Sequence, residues 1–342
     1  MRWLRILFSV VLSALFLWLL LRGRDITQLA REIRTVGVAE LGTIAVLLVA
    51  GHGVRILRWG WMLRRLDAGI RYRACIGPYL IGVSLNNVAP LRAGDIYRVL
   101  AFPAAHVGRT QLFGVVVLER ALDFAVLFLF LIAGTMALHE DAARQLLLPW
   151  ISAIALIGGV IAAAACVWAS RVHVFGAVET SRAPGDAALA APGPRSFLRM
   201  LRTTLRTFLR PLHLAILIAL TLLSWTMTAG IFSVVAITLG APAVASASLF
   251  ATASANLSGL LPSAPGSIGT FHFFAAWAYA AYGLAWNTAA ALAVVVHAVF
   301  WVPMTVVGLG FLVWRHVLRR GHAFGVSGEG RQPDQTQTGV RA

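Results

Sequence analysis

Lysine is missing altogether from this chain of 342 residues, so all 29 of its basic residues are arginines. Acidic residues are scarce at 13, and charged residues make up 12% of the sequence against 59% hydrophobic. Soluble domains carry roughly 25% charge, so the composition excludes a soluble protein and implies a multispanning membrane one. The two cysteines, Cys75 and Cys166, both lie in apolar runs, which excludes a disulfide framework or a cysteine metal site. Between Pro211 and Trp314 there is no arginine, lysine, aspartate or glutamate at all. The carboxylates expected at membrane depth, Asp95, Glu119 and Asp123, form no D-x-D pattern for a metal-bound sugar nucleotide, and His52, His272 and His297 lack ligand spacing. No metal or cofactor is expected. The net charge of +16 follows from the positive-inside bias as readily as from phosphate binding. Where arginine forks do meet phosphate, membrane lipid headgroups are the natural partners, with no role for nucleic acid.

Two stretches cannot continue as helices. From Ser254 to His272 the chain places Pro262, Pro265, Gly259, Gly266 and Gly269 among apolar residues. Proline lacks the amide hydrogen and clashes with the preceding turn, while glycine permits backbone angles that other residues avoid. Ser84, Asn86, Pro90, Gly94 and Ile96 spell S-x-N-x3-P-x3-G-x-I, and Ser254, Asn256, Pro262, Gly266 and Ile268 repeat the lettering with two more residues before the proline. Paired Gly/Pro-interrupted apolar segments in two halves of a chain point to a transporter's substrate site.

Apolar runs predict six full spans: one ending near Leu21, then about 41–61, 111–138, 147–170, 213–240 and 287–314. Two broken elements, near 74–103 and 245–283, lie between them. The arginine-rich segments 55–73, 92–109, 171–210 and 315–320 all belong in the cytoplasm by the positive-inside rule. Each broken element must then leave on the side it entered, either as a re-entrant hairpin or as two tight spans. Counting spans places their mouths on opposite sides, an inverted internal repeat. The fold class expected is an all-α integral membrane protein, with residues 1–320 forming the polytopic domain and both termini in the cytoplasm. A mixed-charge loop is expected at 22–40 and a disordered tail at 321–342. Within 171–210, a linker precedes Arg195, Arg199, Arg202, Arg206 and Arg210, which share one helical face opposite Leu198, Leu201, Leu205, Phe208 and Leu209. That pattern predicts an amphipathic helix on an anionic inner leaflet.

Charges at membrane depth cost ~2.5–3.5 kcal/mol each on insertion scales, so Glu119, Arg120 and Asp123 are expected to face protein or water. Arg55 and Arg58 share one face of the second span. Four motifs then carry a resemblance: Arg58-Trp59; Asn87-x2-Pro90-x-Arg92-Ala-Gly94-Asp95-x2-Arg98; Glu119-Arg120-x2-Asp123; and Pro262-x2-Pro265-Gly266-x-Ile268-Gly269. Together, over about residues 1–320, they resemble the flippase-like membrane region of the lysylphosphatidylglycerol synthases, a family with stand-alone bacterial and archaeal members. The chain departs from that pattern at His272, where relatives usually carry an acidic residue, and at His297, where they often carry an arginine. No aminoacyl-transferring half follows Trp314, so the expectation is a chain that does not aminoacylate lipid and is not an enzyme.

The resemblance implies a lipid translocase, or a subunit of one, in a bacterial cytoplasmic (inner) membrane. Its substrate would be an anionic or polar-headed lipid, polyprenyl phosphates included. Arg58, Arg92, Arg98 and Arg120 are expected to contact phosphate, helped by half-helix N-termini after Pro90 and after Pro265 and Gly266. Glu119 and Asp123 would hold those arginines or carry coupling protons. Asn87, Gly94, Asp95, Asn256, Pro262, Gly269, His272 and His297 complete the expected site. The competing expectation is an integral-membrane enzyme, or an accessory partner of a biosynthetic enzyme, in lipid or polyprenyl-phosphate glycosylation or hopanoid-type lipid synthesis.

Overall fold

The computed structural model describes residues 2–89, 92–102, 107–138, 194–241 and 245–325. Pro90, the expected span 147–170 and the tail beyond residue 325 lie outside them. Among the described residues all regular structure is helical. The elements are α1 (Arg2–Leu21), α2 (Ile26–Ile33), α3 (Val38–Leu66), α4 (Tyr72–Val88), α5 (Ala93–Ala101), α6 (Arg109–Met136), α7 (Pro194–Phe208), α8 (Pro211–Thr238), α9 (Ala245–Leu257), α10 (Thr270–Ala280) and α11 (Trp286–Gly325). Two 3-10 turns, Ser258–Leu260 and Pro265–Ser267, stand between α9 and α10.

Among the described residues three helices are long and apolar enough to cross a membrane: α3, α8 and α11 over Trp286–His316. A fourth crossing arises if α1 and α2, bent by 89° at their junction, count as one. Val46, Val49, Leu223, Val302, Val306 and Val313 lie exposed on these three helices, as lipid-facing positions require. The chain is a multi-pass membrane protein. α6 matches the expected position of a span, but its middle carries Glu119, Arg120 and Asp123.

Two expectations need correction. The 22–40 stretch contains helix α2, started by the Asp25 carboxylate accepting the amides of Thr27 and Gln28, which satisfies two of the first-turn donors. The Asn287 side chain then ties it to α11 through Gln28 at 2.8 Å. At the other end α11 continues through Gly325, so the start of the expected disordered tail is helical.

The apolar residues divide into two cores. One joins α3, α4, α5, α7 and the first half of α6 around Trp59, Met62, Leu112, Val115 and Phe208. The other joins the second half of α6 to α8, α9, α10 and α11 around Phe130, Phe232, Phe250 and Ala293. Small residues on α9, α10 and α11 (Ala251, Ala255, Ala275, Ala289, Ala293) are fully or almost fully buried. In lipid, where apolar burial alone does not drive helices together, such residues let backbones approach closely. Glu119 and Asp123 fall where α6 passes from one core to the other, and there the molecule is hollow.

Both expected breaks are present. The first separates α4 from α5, and the two halves fold back tightly because Gly82 and Gly94 face each other: a Cβ on Gly94 would collide with the Gly82 carbonyl oxygen. The second runs from Leu261 to Gly269, with Gly266 at φ 73° and Gly269 at φ 91°, angles for which glycine is suited. Gly269 also has no room for a side chain, since Ser13 of α1 lies against it. α1 is fixed there by the Ser13 hydroxyl, which accepts the Ala264 amide at 2.7 Å.

Helix α7 forms, but most of the described apolar face expected to lie on lipid packs on protein, while Leu209, just past its end, is exposed. Leu201 and Phe208 are buried, Gly114 of α6 leaves room for Leu201 and Thr204, and Phe208 meets Trp61 of α3 with ring centroids 6.4 Å apart. Arg202, Arg206 and Arg210 on the other face are exposed.

Candidate functional site

Three helices place six charges around one point. Arg58 comes from α3, Asp95 and Arg98 from α5, and Glu119, Arg120 and Asp123 from α6. Asp95 and Arg98 share a face of α5 because they stand three apart, and Glu119 and Asp123 share a face of α6 because they stand four apart.

These six close into a ring of alternating charge. Arg58 donates to Glu119 Oε1 at 3.1 Å and to Asp123 Oδ1 at 2.8 Å. The other oxygen of Glu119 accepts from Arg98 at 2.7 Å, and Arg98 lies 3.9 Å from Asp95. Arg120 completes the circuit, 3.0 Å from Asp95 and 3.3 Å from Asp123 Oδ2. Three positive and three negative charges cancel, which is how ions at this depth become tolerable. Neighbouring polar groups add to the ring: Arg58 also donates to Thr221 at 2.7 Å, Trp225 donates to Asp123 at 3.2 Å, and Asn86 donates to Asp95 at 3.2 Å, while the Nε atoms of Arg58, Arg98 and Arg120 are buried without a hydrogen-bond partner among the described residues. The Arg98 guanidinium is held between Trp59 and Tyr79, 4.2 and 5.3 Å from their ring centroids.

The ring forms part of the wall of a cavity of about 960 Å³. Asn87, Arg92, Asn256, Pro262, Pro265, Gly266 and His297 line it with the ring, so most residues singled out in the sequence come together. Gly94, Gly269 and His272 are not among the residues that line it and act instead on the geometry of the breaks. The Gly94 amide is accepted by Asn86 across the first break at 2.9 Å, and the Gly269 amide by His272 Nδ1 at 3.3 Å.

The two breaks meet at this cavity. A Cβ on Gly266 would lie 3.2 Å from the Asn87 carbonyl oxygen. The Asn87 amide donates to Thr305 at 2.9 Å, while His297 Nε2 lies 2.9 Å from the Gly266 carbonyl oxygen and so carries the proton on that nitrogen. Helix α11 thereby holds both breaks. The repeated lettering does not mean repeated contacts: Asn86 starts α5, whereas Asn256 donates back to Thr252 of its own helix at 2.8 Å.

Arg58 and Arg98 were expected to contact phosphate, yet their side chains are only 1% and 2% exposed and paired with carboxylates. Two other cavity arginines have no carboxylate partner among the described residues. Arg55 donates to Thr228 at 2.9 Å and stacks on Trp225 at 4.8 Å. Arg92 stands in the break between α4 and α5, over Phe124 at 5.8 Å, with an exposed side chain. Its φ of 52° is left-handed, a region uncommon for residues other than glycine and concentrated at functional sites. Sequence reasoning missed Arg55 as a site residue, although its spacing from Arg58 was the signal. It also missed His52, Tyr79, Trp225, Trp301 and the α1 residues Phe8 and Ser9, which line the same cavity.

Five arginines and three carboxylates on the wall leave a surplus of two positive charges, with the histidines neutral. Phe8, Val83, Leu127, Phe271, Phe300 and Met304 supply an apolar share of the lining. The wall thus combines a positive surplus with apolar surface.

A family model described as the lysylphosphatidylglycerol synthase TM region matches residues 6–308. No curated protein and no solved structure matches the chain.

Proposed function

Because the chain belongs to the family of the lysylphosphatidylglycerol synthase TM region, we propose that it moves an anionic-headed lipid between the leaflets of a bacterial inner membrane. The observation that carries this reading is the charge surplus of a cavity walled by two broken helices. The ring cancels itself, while Arg55 and Arg92 remain open to a ligand. A headgroup phosphate offers the matching acceptors, and the apolar lining receives the first part of the acyl or prenyl chain.

In this reading the ring is the fixed wall and the breaks are the moving parts. Irregular backbone at membrane depth is tolerated where it borders a polar cavity, and both breaks do so around Asn87 and Gly266. Six spans and two inverted broken elements, with both termini in the cytoplasm, give the arrangement in which rocking of one element against the other exposes the cavity to alternate sides. The arginine-rich ends support that orientation. Cysteines introduced at Ser327 and Glu140 should label from opposite sides of the membrane; labelling from one side rejects the topology.

Transport itself is tested by reconstituting the pure full chain in vesicles with a leaflet-resolved fluorescent anionic lipid. Movement above protein-free vesicles supports the reading. Turnover of a sugar donor without lipid movement would replace it with the enzyme alternative.

A further inference from the structure

Which anion fits follows from the charges that the ring leaves over. All three carboxylates of the cavity are consumed within the ring, each facing two arginines. A lipid phosphodiester brings one negative charge to a wall with a surplus of two. One cation would then stay uncompensated in a partly apolar cavity, which is costly. A phosphomonoester or diphosphate headgroup brings both charges and several acceptor oxygens.

The two surplus cations reach the cavity wall from different elements. Arg55 comes from α3, and one of its terminal nitrogens already donates to Thr228 while its face rests on Trp225. That stacking fixes the plane of the fork and leaves its remaining donors free. Arg92 comes from the first break, and its side chain makes no hydrogen bond or ion pair among the described residues. Its left-handed backbone angle presents it at the start of α5 instead of continuing a helix.

We infer that the cavity selects lipids with a dianionic headgroup, a phosphomonoester or diphosphate, held between Arg55 and Arg92, with the six-charge ring as scaffold. This rests on the reading of the cavity as a headgroup site, and binding tests it separately from transport.

The test is equilibrium binding of the full chain, in neutral-detergent micelles, to dioleoyl phosphatidate and dioleoyl phosphatidylglycerol, which share acyl chains and differ in headgroup charge. A phosphomonoester loses its second proton near pH ~6. Phosphatidate should therefore bind on the order of tenfold tighter at pH 8 than at pH 5, the size of one further charge-assisted contact, while phosphatidylglycerol should not tighten. The titratable protein groups facing the cavity outside the ring are His52, Tyr79 and His297. Protonation of either histidine would add positive charge and strengthen anion binding in acid, so the histidines cannot produce a preference for pH 8.

Arg55→Gln and Arg92→Gln should each remove the preference for phosphatidate while lowering thermal stability less than Glu119→Gln, because no carboxylate loses a partner and Arg55 gives up only its contacts to Thr228 and Trp225. Glycerol 3-phosphate, the same headgroup without chains, should fail to displace phosphatidate at equal concentration. Equal affinity for the two lipids at pH 8, or a preference that survives both substitutions, overturns the inference. Displacement by glycerol 3-phosphate with equal potency overturns its lipid part and assigns the site to soluble phosphomonoesters. A protein that binds phosphatidate in this pattern but moves no lipid leaves the inference standing and rejects the translocase.

Discussion

Replacing Glu119 by glutamine opens the ring at its most buried carboxylate. Both oxygens are in use, one accepting from Arg58 at 3.1 Å and the other from Arg98 at 2.7 Å. Glutamine keeps one carbonyl acceptor, turns the other oxygen into a donor facing an arginine and leaves three ring arginines with two carboxylates. Breaking a buried pair in this way costs ~3–5 kcal/mol. We expect Glu119→Gln to lower stability by about that amount, measured by equilibrium unfolding in detergent. The compensating change is Arg98→Gln, since removing Glu119 and Arg98 together leaves Arg58, Asp123, Arg120 and Asp95 as a neutral alternating chain. The double variant should therefore be more stable than Glu119→Gln alone, with a coupling of ~0.5–3 kcal/mol. Pairing Glu119→Gln with Arg120→Gln should recover less, because Arg120 bonds Asp95 and Asp123 and neither oxygen of Glu119. A Glu119→Gln protein within about 1 kcal/mol of wild type, a loss smaller than any buried pair should show, or strictly additive double variants, would refute the ring as a coupled unit.

Three further outcomes follow from the packing. Gly94→Ala should separate α5 from α4, since its methyl meets the Gly82 carbonyl; overpacking of this kind costs ~1–3 kcal/mol, and unfolding measurements would show it. Ser13→Ala should speed hydrogen exchange at the Ala264 amide, which donates to that hydroxyl at 2.7 Å; unchanged exchange would mean that α1 is held elsewhere. Replacing exposed Arg202, Arg206 and Arg210 by glutamine should weaken association of α7 with anionic bilayers by ~1 kcal/mol per charge while leaving the helix docked on α6 through Leu201 and Phe208; vesicle-composition dependence of its labelling with a polarity probe reads this.

The breaks were legible in the sequence because proline and glycine act locally: the helix ends at Val88 and Leu257 follow from residues beside them. The identity of most site residues was legible too, since a charge at membrane depth announces itself. The connectivity was not. Arg58 and Glu119 lie 61 positions apart, and Arg98 and Glu119 lie 21 apart, so only the packing of α3, α5 and α6 decides who meets whom. Helical periodicity put Arg55 and Arg58 on one face but could not assign one to the ring and the other to the cavity. The amphipathic pattern of α7 was correct, but it cannot distinguish lipid from protein as the cover for its apolar face. Gly114, whose missing side chain admits Leu201, gave no signal on its own. The repeated S-x-N lettering likewise located both breaks without revealing that Asn86 bridges its break and Asn256 does not.

The most direct test of the central claim is lipid movement in vesicles by three proteins side by side: wild type, Arg55→Gln and Arg92→Gln, each matched for insertion and melting. The account predicts that wild type moves a phosphomonoester-headed lipid between leaflets and that each substitution slows it at least tenfold, the weight of one charge-assisted contact, in proteins that stay folded and inserted. Movement equal in all three, or none above protein-free vesicles in any, would contradict it.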